Sequence, residues 1–398
     1  MENETAAESA AAAALIAHQP SQINAEMMSP AVEALIALLW RETQPDAAAW
    51  SAIPAEAERH GLLPALAFLA RPLHLPEALS TRFREIRHDA TLCRLHAEQQ
   101  LRKVGALALE LEIPLILLKG PVTAAAYPHP AARSFNDLDL LAPSLAQAQQ
   151  VFEALLRLGY QPVSESRTSH LTSLGLPGSQ ITVEIHCDAI EILPTLRSDS
   201  LWWSSATPLP ERPGLLALSP IDHALYFITH AVEKHGMDMG LRGLYDFSCW
   251  TRRWKAELWE ASAARAQARG VTRALRIMAA LEAWAQGRAW AELPWSPTLA
   301  PPPEAVLEAA QSALFNTESV RVPALWRDHP RDGWRGWLSY TREVLTSGER
   351  LPASQIPKRI AYLVRTYSSG LWGLLLAKPE VRQHWKTQRT LQDWLHEA

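Results

Sequence analysis

Apolar and polar positions change rhythm twice along this chain. From Pro30 to about Glu110, apolar residues recur every three or four positions, first in AVEALIALLW and then over the longer ATLCRLHAEQQLRKVGALALELE. That spacing lines one face of an α-helix. Between 113 and 187 the period falls to two, and strands are expected at 113–118, 137–142, 161–165, 171–176 and 181–187. One helix interrupts them, from about Leu145 to Leu158, and Gly159 closes it. After about Asp188 helical spacing returns and runs to the end, punctuated by proline and glycine at 208–214, 294–303 and 350–357. The pattern predicts a mobile Ala- and Gln-rich tail over 1–28, a helical N-terminal region over 29–110, a sheet-bearing core over 111–190 and a helical C-terminal region over 191–398. The class is α+β: a small mixed or antiparallel sheet flanked by helical regions.

Composition narrows the picture only a little. With 398 residues, 48% hydrophobic and 20% charged, the chain has enough apolar residues for a substantial core. A formal charge of −4 gives no general attraction to nucleic acid or an anionic membrane. Cys93, Cys187 and Cys249 are widely spaced and form no CxxC pair, which argues against a zinc site or disulfide framework and for a reducing compartment. No secretory signal is apparent and no apolar stretch reaches the roughly 18–20 residues that span a bilayer. A cytoplasmic protein with no membrane partner is expected. The sequence has no GxGxxG or GxxxxGK[ST] pattern, which argues against a dinucleotide or P-loop enzyme.

The chemistry concentrates in residues 113–143, IPLILLKGPVTAAAYPHPAARSFNDLDLLAP. An apolar run ends at Lys119-Gly120, and Asp137 and Asp139 then sit one residue apart among leucines. On a strand, residues i and i+2 share a face, so the two carboxylates project side by side with Leu138 and Leu140 behind them. Adjacent carboxylates repel unless something positive lies between them, and a divalent cation is a common reason to build such a pair. Downstream, ITVEIHC (181–187) alternates as a strand does and puts Glu184 and His186 on one face.

These residues resemble the nucleotidyltransferase superfamily that includes DNA polymerase beta, and more closely its uncharacterised bacterial branch. That branch has a Lys-Gly turn, an Arg and an Asp-Leu-Asp strand. The likeness covers roughly residues 95–255 and extends into LSPIDHALYFITHAVEKHG (218–236), Arg242 and Asp246. It implies that Gly120 opens a helix under the nucleotide phosphates, and that Asp137 and Asp139 bind Mg²⁺ or Mn²⁺, two ions in the superfamily pattern. Glu184 would supply the third carboxylate, as metal ligand or general base, with Asp188 as the alternative if the register differs. The chain departs from the pattern at Pro121, where a small polar residue is usual, so a hydroxyl contact to phosphate is lost or passes to Thr123.

Lys119 and Arg133 read either as phosphate ligands or as salt-bridge partners of the acidic strand. His186 could orient Glu184, contact a phosphate or fill the sheet edge. His223, His230 and His235 lack HExxH spacing and read as buried histidines, while Asp222, Arg242 and Asp246 read as ion pairs between regions. Tryptophans such as Trp326, Trp334, Trp337, Trp372, Trp385 and Trp394 read as helix packing. The stretch from Lys358 to Arg389, with seven Lys/Arg against Glu380, reads as a solvated helical face or a polyanion-binding surface. The function implied is transfer of a nucleoside monophosphate from an NTP to an acceptor hydroxyl that the sequence leaves unspecified. The alternatives are a non-catalytic nucleotide-binding or protein-interaction module that keeps the fold, and metal-dependent phosphohydrolysis.

Overall fold

A computed structural model describes residues 28–163, 171–186, 200–237, 239–315 and 379–396. Nearly all of the expected tail, Asp188, four of the six named tryptophans and most of the 358–389 stretch lie outside these residues.

The chain enters through helices. α1 (Pro30–Arg41) starts where Ser29 Oγ accepts the Val32 N–H at 3.2 Å, with proline at its first position, and it buries Val32, Leu35, Ile36 and Leu39. Two short helices follow, α2 (Ile53–Arg59) and α3 (Leu63–Leu69), and then the 34-residue α4 (Glu77–Glu110). The C-terminal half of α4 buries Ala97, Leu101, Val104 and Ala108 against the sheet.

Among the described residues the sheet has seven strands: β1 (Leu115–Leu117), β2 (Asp137–Leu141), β3 (Gln161–Pro162), β4 (Leu174–Gly175), β5 (Thr182–His186), β6 (Thr207–Pro208) and β7 (Leu215–Ala217). Their order is β3-β4-β5-β2-β1-β7-β6. β2 pairs parallel with β5 and antiparallel with β1, and β1 pairs parallel with β7. The sheet is mixed and carries helices at both ends of the chain, the α+β arrangement that the periodicity implies. Two expectations need correction. Of the outer strands expected at 161–165 and 171–176, the described residues show Gln161–Pro162 and Leu174–Gly175, with 164 and 165 outside them, and β6 and β7 arise in a stretch expected to be helical.

Between the strands lie the five-residue α5 (Gly120–Ala124) and α6 (Leu145–Arg157), the latter capped by Ser144, which accepts the Gln147 N–H. Among the described residues the remaining helices are α7 (Ser200–Ser205), α8 (Pro220–Thr229), α9 (Leu241–Thr251), α10 (Ala256–Arg269), α11 (Thr272–Gln286), α12 (Glu304–Phe315) and α13 (Pro379–His396). α8 continues into a π-helical turn, His230–Lys234. Among the described residues no helix is long and apolar enough to cross a membrane.

Strand alternation separates two cores. Leu138, Leu140, Val183 and Ile185 join Leu115 and Leu117 in a cluster packed under α4 and α6. Ile116, Leu118 and Leu141 point the other way and join the larger core formed by the helices. Each fully buried aliphatic side chain contributes about 1.5–3 kcal/mol. A one-residue slip of β2 would exchange Leu138 and Leu140 for Asp137 and Asp139 in the smaller core, so packing excludes that slip. The acidic face is thereby committed to the side of the sheet that looks at the helical body.

Candidate active site

The parallel pairing of β2 with β5 sets Asp137 beside Thr182, Asp139 beside Glu184 and Leu141 beside His186. Asp139 is 1% exposed, and its Oδ1 accepts two hydrogen bonds, from Lys119 Nζ at 3.2 Å and from His186 Nε2 at 2.9 Å. Oδ2 is also buried and has no hydrogen-bonding partner among the described residues. Glu184 is half-buried, and its Oε1 accepts the Ser173 hydroxyl at 2.9 Å. One donor atom from each of Asp139, Glu184 and His186 falls within 4.8 Å of the others. Asp137 lies at the more open end of β2.

Lys119 reaches this cluster because of its backbone. The Leu118 N–H donates to the Asp139 carbonyl at 2.9 Å, which extends the β1–β2 ladder to the turn. Lys119 then adopts φ 44° and ψ −122°, and its carbonyl accepts from the Val122 and Thr123 N–H groups as α5 begins. A non-glycine residue in such a region costs on the order of 1–3 kcal/mol. The unusual conformation therefore sits on the lysine rather than on Gly120. Gly120 is needed for space instead: a Cβ there would lie 3.0 Å from Phe135 Cβ and Cγ.

Electrostatics follow from this packing. Burial disfavours charge on Asp139, but Lys119 and the His186 hydrogen bond outweigh it and hold the carboxyl well below its usual range. For Lys119, burial is again outweighed, by Asp139 with smaller contributions from Tyr226 and Asp137, and its ammonium is held above the ordinary value. Burial and the neighbouring Asp139 push Asp137 upward, against the pull of Lys119. The two aspartates of one strand are thus driven apart, which is how like charges in one site settle.

Three expected phosphate-binding groups are otherwise engaged. Arg133 Nε and Nη2 donate to the two oxygens of Asp246 on α9, at 3.1 and 2.9 Å, and Nη1 donates to the Ser134 carbonyl at 3.3 Å. Its charge lies within reach of Asp137 but is paired with Asp246, so the salt bridge runs to a helix rather than to the acidic strand. Thr123 Oγ1 donates to the Lys119 carbonyl at 3.2 Å and lies 3.0 Å from His223 Nε2. Gly120 is buried beneath Phe135.

The structure adds groups that the motif did not single out. Tyr226 on α8 is 1% exposed and its hydroxyl has no hydrogen-bonding partner among the described residues. Burial, reinforced by Asp139 and Asp137 and opposed by Lys119, pushes its phenol well above the usual range. His230, four residues on, stacks with Tyr226 and sits 4.5 Å from the His235 ring, and burial with Lys119 and His235 keeps it neutral. The seven-residue spacing of His223 and His230 marks this helix face in the sequence, and Tyr226 lies on it between them. Asp222 is an ion-pair partner of Arg265 and Arg269, but within the C-terminal helical region rather than between regions as expected.

A family model described as an uncharacterised nucleotidyltransferase matches residues 46–287, more than half of the chain. The chain belongs to this nucleotidyltransferase family. The match runs from the N-terminal helices to the end of α11 and takes in the helices that supply Tyr226, His230 and Asp246. No curated protein shows significant similarity to the chain.

The donor set fits a divalent cation. Carboxylate oxygens suit Mg²⁺ and Mn²⁺, and an imidazole within reach adds affinity for Mn²⁺. The buried, unpartnered Asp139 Oδ2 is a group that such an ion would satisfy.

Proposed function

We propose that this nucleotidyltransferase moves a nucleoside monophosphate from an NTP to an acceptor hydroxyl with the help of Mg²⁺ or Mn²⁺, releasing pyrophosphate. The observation that carries the reading is the β2–β5 register, which sets Asp139, with its unpartnered Oδ2, directly beside Glu184. Asp137, Asp139 and Glu184 would hold the cation. When bound, such an ion neutralises phosphate charge and makes a hydroxyl easier to deprotonate. Lys119 and His186 keep Asp139 ionised and fix its orientation. Ser173 holds Glu184 where it can bind the cation or take the acceptor proton. Arg133 and Asp246 fasten the loop that leads into β2. With an NTP as donor, the enzyme acts in the cytoplasm.

Transfer is tested by incubating the protein with each α-labelled NTP, Mg²⁺ and a fractionated lysate. Label should appear on an acceptor with wild type and vanish with Asp139→Asn. Labelled monophosphate released without acceptor would mark hydrolysis instead. A second reading is favoured by the engagement of Arg133 and Thr123, which leaves fewer groups for a triphosphate: a nucleotide-binding or protein-interaction module that keeps the fold. NTP binding with no turnover on any acceptor would favour that module.

A further inference from the structure

The carboxylate cluster already contains a cation that belongs to the chain. Lys119 Nζ lies 3.2 Å from Asp139 Oδ1, the same oxygen that accepts from His186 Nε2. The two oxygens of Asp139 therefore differ. Oδ1 is doubly engaged, and Oδ2 is buried and unpartnered among the described residues.

A carboxylate that bridges two metal ions commits one oxygen to each. Asp139 has only one oxygen left to commit. The ammonium is also delivered by rigid parts: the Leu118–Asp139 backbone bond extends the ladder, and the Lys119 carbonyl anchors the first turn of α5. Its position does not depend on a mobile surface side chain, since the Lys119 side chain is 19% exposed. Charge balance agrees. Asp137, Asp139 and Glu184 bring three negative charges, and one ammonium with one divalent ion neutralises them.

We propose that Lys119 takes the place of a second divalent ion, so that Asp137, Asp139 and Glu184 bind a single Mg²⁺ or Mn²⁺ through the Oδ2 side of Asp139. The proposal rests on the reading that these carboxylates bind a divalent cation. It departs from the two-ion pattern expected from the sequence. The ammonium would supply, without any need for recruitment from solution, the positive charge that the second ion supplies elsewhere.

The test is Mn²⁺ titration of the nucleotide-free protein, following free ion by its paramagnetic resonance signal. Wild type should bind one ion per chain. Lys119→Met, which keeps the stem and removes the charge, should bind two, and Lys119→Arg should return to one. Two ions in wild type would overturn the role of Lys119 and leave the metal reading standing. One ion in both wild type and Lys119→Met, with equal affinity, would also overturn it. No Mn²⁺ binding in any of the proteins would remove the metal reading, and the proposal with it. Because the wild-type stoichiometry alone can refute the idea, poor folding of Lys119→Met would not shelter it, and Lys119→Gln serves as the second neutral variant.

Discussion

Two buried charge clusters lie close together in this molecule, and they are built on opposite plans. Around Asp246, both carboxylate oxygens accept from Arg133, Tyr127 Oη donates to Oδ1 at 2.6 Å, and Arg133 spends its third nitrogen on the Ser134 carbonyl. That network is closed. Around Asp139, one oxygen accepts two hydrogen bonds while the other has no partner among the described residues, and Asp139 and Asp137 both act on the Lys119 ammonium. That cluster is open. Buried polar groups normally find partners, because an unmet one costs about 1–3 kcal/mol. The difference teaches that charge and burial alone do not mark a site. Both clusters have them, and only the one with unmet bonding capacity can take on something new.

The contrast breaks first at Asp246. Removing one partner of a buried pair leaves the other charge stranded, at about 3–5 kcal/mol. Asp246→Ala should lower the unfolding free energy by that order in urea denaturation, and Arg133→Met in the same chain should recover much of it. A cost below about 1 kcal/mol for the single variant would mean the network is not closed.

At the open cluster the largest effect should fall on binding. Asp139→Asn should weaken Mn²⁺ by at least about 100-fold, beyond the roughly 10–100-fold typical of groups that only support a ligand. It should also destabilise the fold, since Asp139's depressed carboxyl contributes stability above its unfolded value of about 3.9, which is lost as pH falls through the folded value. Asp137→Asn should weaken Mn²⁺ but leave stability equal or higher. Its carboxyl is raised, so its contribution falls as pH climbs from the unfolded value through the folded one. Equal thermal shifts in the two variants would refute the asymmetry.

His223 sits between the clusters, against Thr123 on one side and under the influence of Arg133 and Asp246 on the other. Burial, with Arg133, lowers it to about 3. The unfolded chain protonates near 6.5, so stability is greatest above that pH and drains away as pH falls toward the folded value. The slope should approach about 1.4 kcal/mol per pH unit for this group. His223→Gln should remove one proton from the pH dependence of unfolding between about pH 4 and 6.5, and an unchanged slope would count against the buried neutral imidazole.

The mildest change is Ser173→Ala. It deletes the hydroxyl that steadies Glu184, and Mn²⁺ affinity should drop about tenfold with little loss of stability. No change in affinity would leave Glu184 positioned by its other contacts.

Much of the open cluster is legible in the sequence because it is local. Alternation over 137–141 and 182–186 decides which side chains share a face, and the observed pairing of Asp139 with Glu184 is one of those that alternation allows. α6 was equally readable, from its apolar spacing to Gly159, which takes φ 89° just beyond its end. The closed cluster was not legible in its pairing, since Arg133 and Asp246 are 113 positions apart and nothing near either names the other. β7 escaped for a related reason. Three residues are too few to show a period, and Leu215–Ala217 becomes a strand only because β1 offers it an edge. The strained turn is a subtler case: a Lys-Gly pair suggests that glycine takes the positive φ, whereas Phe135 claims the space above Gly120 and Lys119 takes the bend.

The parallel pairing of β1 with β7 also sets a timetable. Leu115 and Leu215 are partners, so about 100 residues must leave the ribosome before the central sheet gains that neighbour. Arg133 then waits for Asp246. A nascent chain that stops near residue 190 carries the acidic strands but leaves one flank of β1 unpaired and a guanidinium without its counterion. Such a fragment should be prone to association through that bare edge, and the smallest piece that folds alone should extend past α9.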